Sequence, residues 1–355
     1  MIKILRKLHF YIALITAIFL TILCLSGAVL IFADSLDKMI FPAQWQAQVD
    51  GKRGTIDAMI EAVEQETQAV VTVIDVGLKD DDVWRFKLNS GKYANLDPYR
   101  MLVTKHYEFH EHIYGFTMQL HRWLLLQNKD GGKPLQDWVS IVSLSLMLNM
   151  LVGFYLWFKP KHPLKRLKVR FTANKKILFS QLHNVVGVCC VVPLFLIALS
   201  GIAFNWQAPV KTLLETAMMD DIESRPVVDY TASKGSQRLA VSKLVNNGVS
   251  TLADGVLYRI YLPTEQHPLR LRIKMPGETH AYSWIWIEPT SGEVLNSYNG
   301  EHANLVTQIW RFKYKFHIGQ FISPQMEWLW LAFCLLPLLL LFTGLWVNLK
   351  RRKRG

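Results

Sequence analysis

The chain is poor in cysteine: among 355 residues there are four, and all of them (Cys24, Cys189, Cys190, Cys334) fall inside long apolar runs. The polar segments between those runs contain none, which excludes a disulfide framework holding them. Within the runs a cysteine reads as a small apolar helix residue, with an adjacent-thiol metal or redox site at Cys189-Cys190 as the sharper alternative. Acidic residues are missing from three places. Residues 1–9, 159–177 and 350–355 hold sixteen of the 40 Lys and Arg but no Asp or Glu. Elsewhere 24 basic residues face all 28 acidic ones, so the net charge of +12 belongs to short flanks and not to a nucleic-acid surface. There is also no phosphate-cradling glycine loop, no dinucleotide fingerprint and no nucleophile elbow. Flavin, nicotinamide and acyl-transfer chemistry are therefore not expected of this chain.

What the chain has in abundance is apolar sequence, 51% of its residues. Four runs, 10–32, 138–158, 178–206 and 327–349, approach or exceed the ~20 helical residues needed to cross ~30 Å of hydrocarbon. The first is too long for a signal-peptide core, and Gly27-Ala28-Val29-Leu30 offers no clear cleavage site, so a permanent anchor is expected. Short basic loops stay in the cytoplasm. That rule puts 1–9, 159–177 and 350–355 on the cytoplasmic side of a bacterial-type inner membrane, and 33–137 and 207–326 in the periplasm.

The sequence also repeats itself. Leu8-His9 is followed by Leu25-Ser26-Gly27, and Leu182-His183 by Leu199-Ser200-Gly201, with eighteen residues from histidine to glycine in both. Each outer segment predicts a helix followed by alternating strands. In the first these are a helix over 56–68 and strands over 70–76, 83–88 and 93–96, with a further strand after the Asp97-Pro98 turn. In the second they are a helix near Ser236 to Val245 and strands over 257–262, 269–275 and 283–287, then a turn over 288–293. The pattern describes a small α+β module occurring twice.

The most specific elements of this order are Lys7-Leu8-His9, Gln119-Leu120-His121-Arg122, Gln181-Leu182-His183 and Phe316-His317-Ile318-Gly319. On them, and over essentially its whole length, the chain resembles the PepSY-associated transmembrane family of iron-regulated membrane proteins. It is similar to ferric-siderophore reductases such as the ferrioxamine reductase. The resemblance implies an α+β membrane protein: a four-helix transmembrane bundle with two periplasmic PepSY-like modules, internally duplicated.

Four of the eleven histidines stand out. His9 and His183 begin spans one and three, while His121 and His317 lie in aromatic segments just before spans two and four. A b-type haem takes two axial imidazoles from separate rigid elements. Two b-type haems with bis-His iron are therefore expected, one on His9 and His183 and one on His121 and His317. The bland alternative is a histidine resting among lipid head groups. Eighteen helical residues rise ~27 Å, which sets Gly27 and Gly201 level with the second pair. Gly153 and Gly344 are level with the first. These glycines either clear space for a macrocycle or let helices touch.

Arg122 and Arg311 are candidates for haem propionates. His106, His110 and His112 with Glu108 and Glu111 have a metal site's composition, and His112 rivals His121 as an axial ligand; a solvated or siderophore-facing role is the alternative. The second half offers only His302 beside Glu301, and His162, His267 and His280 are expected to be exposed. Trp84, Tyr282, Trp284 and Trp286 either shape a docking surface or fill a core.

The function this predicts is electron transfer from a cytoplasmic or quinol donor to a ferric siderophore, releasing Fe(II). The rivals are a non-enzymatic, membrane-anchored interaction or inhibitory protein, and a haem conduit to a different acceptor.

Overall fold

A computed structural model describes residues 1–232, 237–278, 280–323 and 325–352. From the N-terminus, α1 (Ile2–Ile40) leads through a single turn, α2 (Pro42–Trp45), to α3 (Ile56–Thr67). Strands β1 (Val71–Asp75), β2 (Trp84–Leu88), β3 (Tyr93–Asp97) and β4 (Leu102–Tyr107) follow, then helices α4 (Ile113–Trp123) and α5 (Gln136–Phe158). Next come α6 (Lys175–Cys189), α7 (Val191–Asn205), α8 (Gln207–Met218) and α9 (Val241–Val249). The chain finishes with β5 (Val256–Tyr261), β6 (Leu269–Lys274), β7 (Ser283–Ile287), β8 (Val294–Tyr298), α10 (Leu305–Ile318) and α11 (Met326–Arg352). Backbone contacts divide these elements into two units, one of Met1–Ala33, Phe116–Asp220 and Ile309–Gly355, the other of Asp34–Gly115 and Asp221–Gln308.

The first unit is helical. α1, α5 and α11 are each long and apolar enough to cross a membrane, with mean hydropathies of 2.6, 2.0 and 2.2 over their most apolar stretches. The protein is thus a membrane protein with several candidate spans. The third apolar run departs from the continuous helix that its composition predicts: α6 and α7 bend by 59° at Cys190. Pro193 supplies the cause, since its nitrogen has no hydrogen for the carbonyl of Cys189, and the helical ladder cannot pass through unbroken. α5 packs on α7, and α6 packs on α11.

The second unit is built on one antiparallel sheet in the order β4-β3-β2-β1-β5-β6-β7-β8. Strand alternation sends Ile74, Phe86, Leu88, Leu96, Leu269, Leu271, Ile273 and Ile285 to one face. There they meet Met59 and Val63 of α3 and Leu244 and Val245 of α9. Trp84, for which the sequence leaves docking and core roles both open, lies in this core and is 6% exposed. The two groups of four strands do not stand apart, because β1 pairs with β5 through Val73↔Tyr261, Ile74↔Ile260 and Asp75↔Arg259. Alone, each group would leave an inner edge of unpaired backbone, and the pairing removes both edges.

α3 begins at Thr55, whose hydroxyl accepts the Ala58 N–H, and ends where Gln68 takes a left-handed conformation at φ 53°. α9 begins at Val241, five residues later than predicted; the predicted start, Ser236, lies outside the described residues. Its first N–H groups are capped from α3, because the Asp57 carboxylate accepts from Val241 at 2.7 Å and Ser242 at 3.0 Å.

Candidate functional site

The first unit brings four imidazoles together in two pairs. His9 of α1 faces His183 of α6 with ring centres 6.1 Å apart and planes at 83°. His121 of α4 faces His317 of α10, also at 6.1 Å, with planes at 61°.

Each Nδ1 is engaged. That of His9 lies 3.1 Å from the carbonyl of Asn149, and that of His183 lies 3.0 Å from Oγ1 of Thr343. Ser26 Oγ is 3.0 Å from Nδ1 of His121, and Ser200 Oγ is 2.9 Å from Nδ1 of His317. These contacts fix the tautomer. A carbonyl can only accept, and the three hydroxyls spend their single protons on their own helices, at the carbonyls of Leu339, Ile22 and Ile197. The proton must therefore sit on each Nδ1, leaving each Nε2 with a free lone pair. This is the arrangement by which proteins orient metal-binding imidazoles from behind.

The separation is also that of a shared metal. Metal–nitrogen bonds of ~2.0 Å, plus ~1.1 Å from nitrogen to ring centre, put two imidazoles on one ion ~6 Å apart. No group of three or more His, Cys, Asp or Glu side chains is gathered for a metal among the described residues. An ion held by two imidazoles alone would take its remaining donors from another ligand. Beside His9 and His183 lies a cavity of about 430 Å³ lined by Leu14, Ala17, Met150, Phe154, Leu340 and Leu341. Arg6, Lys7 and Arg166 also form its wall. Arg6 and Arg166 have no carboxylate partner among the described residues. Burial, and then the charge of Arg6, push the Arg166 guanidinium below its usual range.

The glycines lie level with the pairs that the residue count assigns, but they clear imidazole rings. A Cβ at Gly153 would stand 3.0 Å from Cε1 of His9, and one at Gly344 3.2 Å from that of His183. The same atoms at Gly27 and Gly201 would stand 3.2 Å and 3.3 Å from Cε1 of His121 and His317. A side chain there would displace the ring.

Other predicted residues are placed as follows. The Arg122 guanidinium lies over the Trp123 ring at 5.6 Å, and Arg311 is half-buried on α10. Two cations that the sequence did not single out, Lys211 and Lys313, share the Trp310 ring at 5.5 Å and 3.3 Å. Phe204, whose ring is 5.6 Å from the Lys313 ammonium, packs 5.3 Å from the His317 ring. Burial, and then Lys211, push Lys313 down to about 8.

In the second unit the His106, His110 and His112 cluster does not assemble into a metal site: His106 and His110 are exposed and His112 is buried. His112 instead sets its Nδ1 3.1 Å from the Asp37 carboxylate, inside a box of Trp45, Tyr107, Phe109 and Tyr114. His162, His267 and His302 are exposed, whereas His280, expected exposed, is half-buried between Tyr258 and Tyr282. The partners Asn149 and Thr343 were missed. A signal existed, since Ser26-Gly27, Ser200-Gly201 and Thr343-Gly344 each set a hydroxyl directly before a ring-clearing glycine.

No curated protein matches the chain. Residues 6–351 match the family model described as the PepSY-associated TM region, and the chain belongs to that family.

Proposed function

We propose that this chain is a four-helix inner-membrane protein that binds two b-type haems and reduces ferric siderophores in the periplasm, releasing Fe(II). The observation that carries the proposal is the pairing of His9 with His183 and of His121 with His317, both at 6.1 Å with every Nδ1 engaged. In this reading α6 and α7 form one bent span, and the helix-and-strand segments 33–137 and 207–326 are duplicated PepSY-like modules. The basic flanks keep both termini in the cytoplasm, which sets the His9/His183 site at the inner face and the His121/His317 site at the outer one. Internal duplication is supported by the eighteen-residue His-to-Gly spacing and by the matching Ser–His bonds.

At the inner site His9 and His183 would hold the haem, and Arg6, Lys7 and Arg166 would meet its propionates. At the outer site His121 and His317 would be the ligands, with Arg122, Arg311, Lys211 and Lys313 as the candidate cations for its propionates. Bound there, haem supplies one-electron transfer. The chain's contribution is to hold both imidazoles of each pair in the ligating tautomer and to surround them with apolar side chains. With both imidazoles of each pair committed to holding haem, the ferric chelate would be met on protein surface. Hard oxygen donors hold Fe(III) tightly and Fe(II) weakly, so adding one electron loosens the siderophore's grip. The donor is a cytoplasmic reductant or a membrane quinol.

The test is stopped-flow mixing of the dithionite-reduced, purified protein with ferric siderophores. Reoxidation by at least one of them, with Fe(II) trapped by a ferrous chelator, is expected. Failure to reoxidise with any of them removes the reductase assignment, and a colourless protein returns the chain to the class of anchored interaction modules.

A further inference from the structure

The two faces of the eight-stranded sheet differ sharply. The face turned from α3 and α9 carries arginine and aromatic side chains on β2, β5, β6 and β7, with Asp75 of β1 between them. The register sets Tyr261 opposite Arg270, Arg259 opposite Arg272, Arg272 opposite Trp284 and Arg270 opposite Trp286. Cations lie on rings throughout: Arg272 is 5.2 Å and Arg225 4.3 Å from the Trp284 ring, and Arg270 is 5.1 Å from that of Tyr261. The Tyr261 and Trp284 rings are themselves stacked 5.5 Å apart.

Acidic groups reach this face but are engaged: Asp34 acts on Arg85, and Glu223 accepts from the hydroxyl of Tyr298, the residue opposite Trp284. The Asp75 carboxylate is shared by Arg85, at 3.0 Å, and Arg259. Arg272 donates from Nε and Nη2 to the carbonyl of Ala281. Arg225 and Arg270 have no carboxylate partner among the described residues, and Arg225 is exposed. The field is felt nearby. Burial, and then Arg225, push Arg270 below its usual range, while burial, and then Arg272 and Arg259, hold His280 down to about 4.

A guanidinium lying flat on a ring keeps its N–H rim available to an anion, and the neighbouring π faces accept another flat ring. The ligand that matches both is an anion whose charge rests on planar aromatic donors. Among ferric chelates this separates two classes. Doubly deprotonated catecholates leave the complex strongly anionic and aromatic, whereas three singly charged hydroxamates neutralise Fe(III) and offer no ring. We infer that the Arg225–Arg270–Arg272–Tyr261–Trp284 face is the docking site of an anionic ferric tris-catecholate chelate. The inference rests on the reading of the chain as a ferric-siderophore reductase and names the substrate class.

The experiment uses the intact protein in neutral-lipid nanodiscs and calorimetric titration with gallium(III) complexes, which bind as ferric ones do but do not take the electron. The gallium tris-catecholate should bind at least tenfold more tightly than a gallium trihydroxamate. Arg225→Glu with Arg270→Glu should weaken the catecholate at least tenfold and leave the haem spectrum unchanged. Arg225→Glu alone, at an exposed position, should weaken it at least threefold, which keeps the test standing if the double variant does not fold. Equal affinities, no binding, indifference to both charge reversals, or displacement of the chelate by anionic phospholipid would each overturn the inference. Because gallium is not reduced, loss of the catecholate preference in a protein that still reduces a trihydroxamate removes only the docking face. Intact gallium binding without ferric reduction removes only the reductase.

Discussion

Gly153 and His9 are in contact across two helices, so close that a Cβ added to the glycine would lie 3.0 Å from Cε1 of the imidazole. The ring cannot retreat freely, because its Nδ1 is held by the carbonyl of Asn149. Gly153→Leu should therefore turn His9 out of line with His183 and abolish the haem of that pair alone. Gly187→Ala is the control, since its Cβ would meet only Leu340, at an ordinary 3.8 Å. Haem absorbance of the purified variants, about half of wild type against unchanged, checks the prediction; full haem in Gly153→Leu contradicts it.

The hydroxyls behind the second pair should tune it. With Ser26→Ala and Ser200→Ala combined, His121 and His317 lose their hydroxyl partners at 3.0 Å and 2.9 Å. Loss of such a partner typically costs ~10–100-fold in metal affinity. Haem should leave the His121/His317 site at least tenfold faster in transfer to an apoglobin acceptor, with the other site unaffected. Equal rates from both proteins would show that the hydroxyls do not support the ligands.

How much of this was legible depends on whether a feature is local or shared between distant segments. The level of Gly27 and Gly201 followed from a fixed helical rise and that of Gly153 and Gly344 from their place near span ends, and each stands beside an imidazole of the pair expected at its level. Strand positions followed from alternation, so Ser283–Ile287 is found where composition puts it. The bend at Cys190 has a local cause in Pro193, which apolar length alone passes over. The joining of β1 to β5 was not legible, because Asp75 and Arg259 lie 184 residues apart and nothing local selects that edge. Nor was the fate of His112. Its partner Asp37 stands in a helix that composition ends at Phe32 but that continues to Ile40.

That Asp37 contact has its own consequence. The carboxylate accepts the Ile113 N–H at 3.0 Å and the Tyr114 N–H at 3.2 Å as well as facing His112, with both side chains almost fully buried. Asp37→Ala orphans all three groups at the start of α4, the helix that carries His121. Removing one member of a buried pair costs ~3–5 kcal/mol. The second unit's thermal transition, followed in detergent, should fall accordingly, and Asp37→Asn should fall less. An unshifted transition in the alanine variant would contradict this.

Asp57 predicts a pH dependence. Burial raises its pKa, but hydrogen bonds from Ser242 and Val241 outweigh burial and hold the carboxyl below its ordinary value. A carboxyl with a depressed folded-state pKa stabilises the fold fully above its unfolded pKa of ~3.9 and progressively less as pH falls below it. The melting difference between wild type and Asp57→Ala should therefore be largest near neutrality and shrink towards pH 3. A difference that is constant over that range would show that the carboxylate's charge does not contribute.

The most direct measurement is the haem content of the intact protein, expressed with ample haem supply and assayed as its pyridine haemochrome. Two bis-imidazole sites require about two b-type haems per chain, with His9→Ala and His121→Ala each retaining about one. A wild-type chain free of porphyrin, or single variants that each lose all of it, would contradict the claim that these four imidazoles form two independent iron-binding pairs.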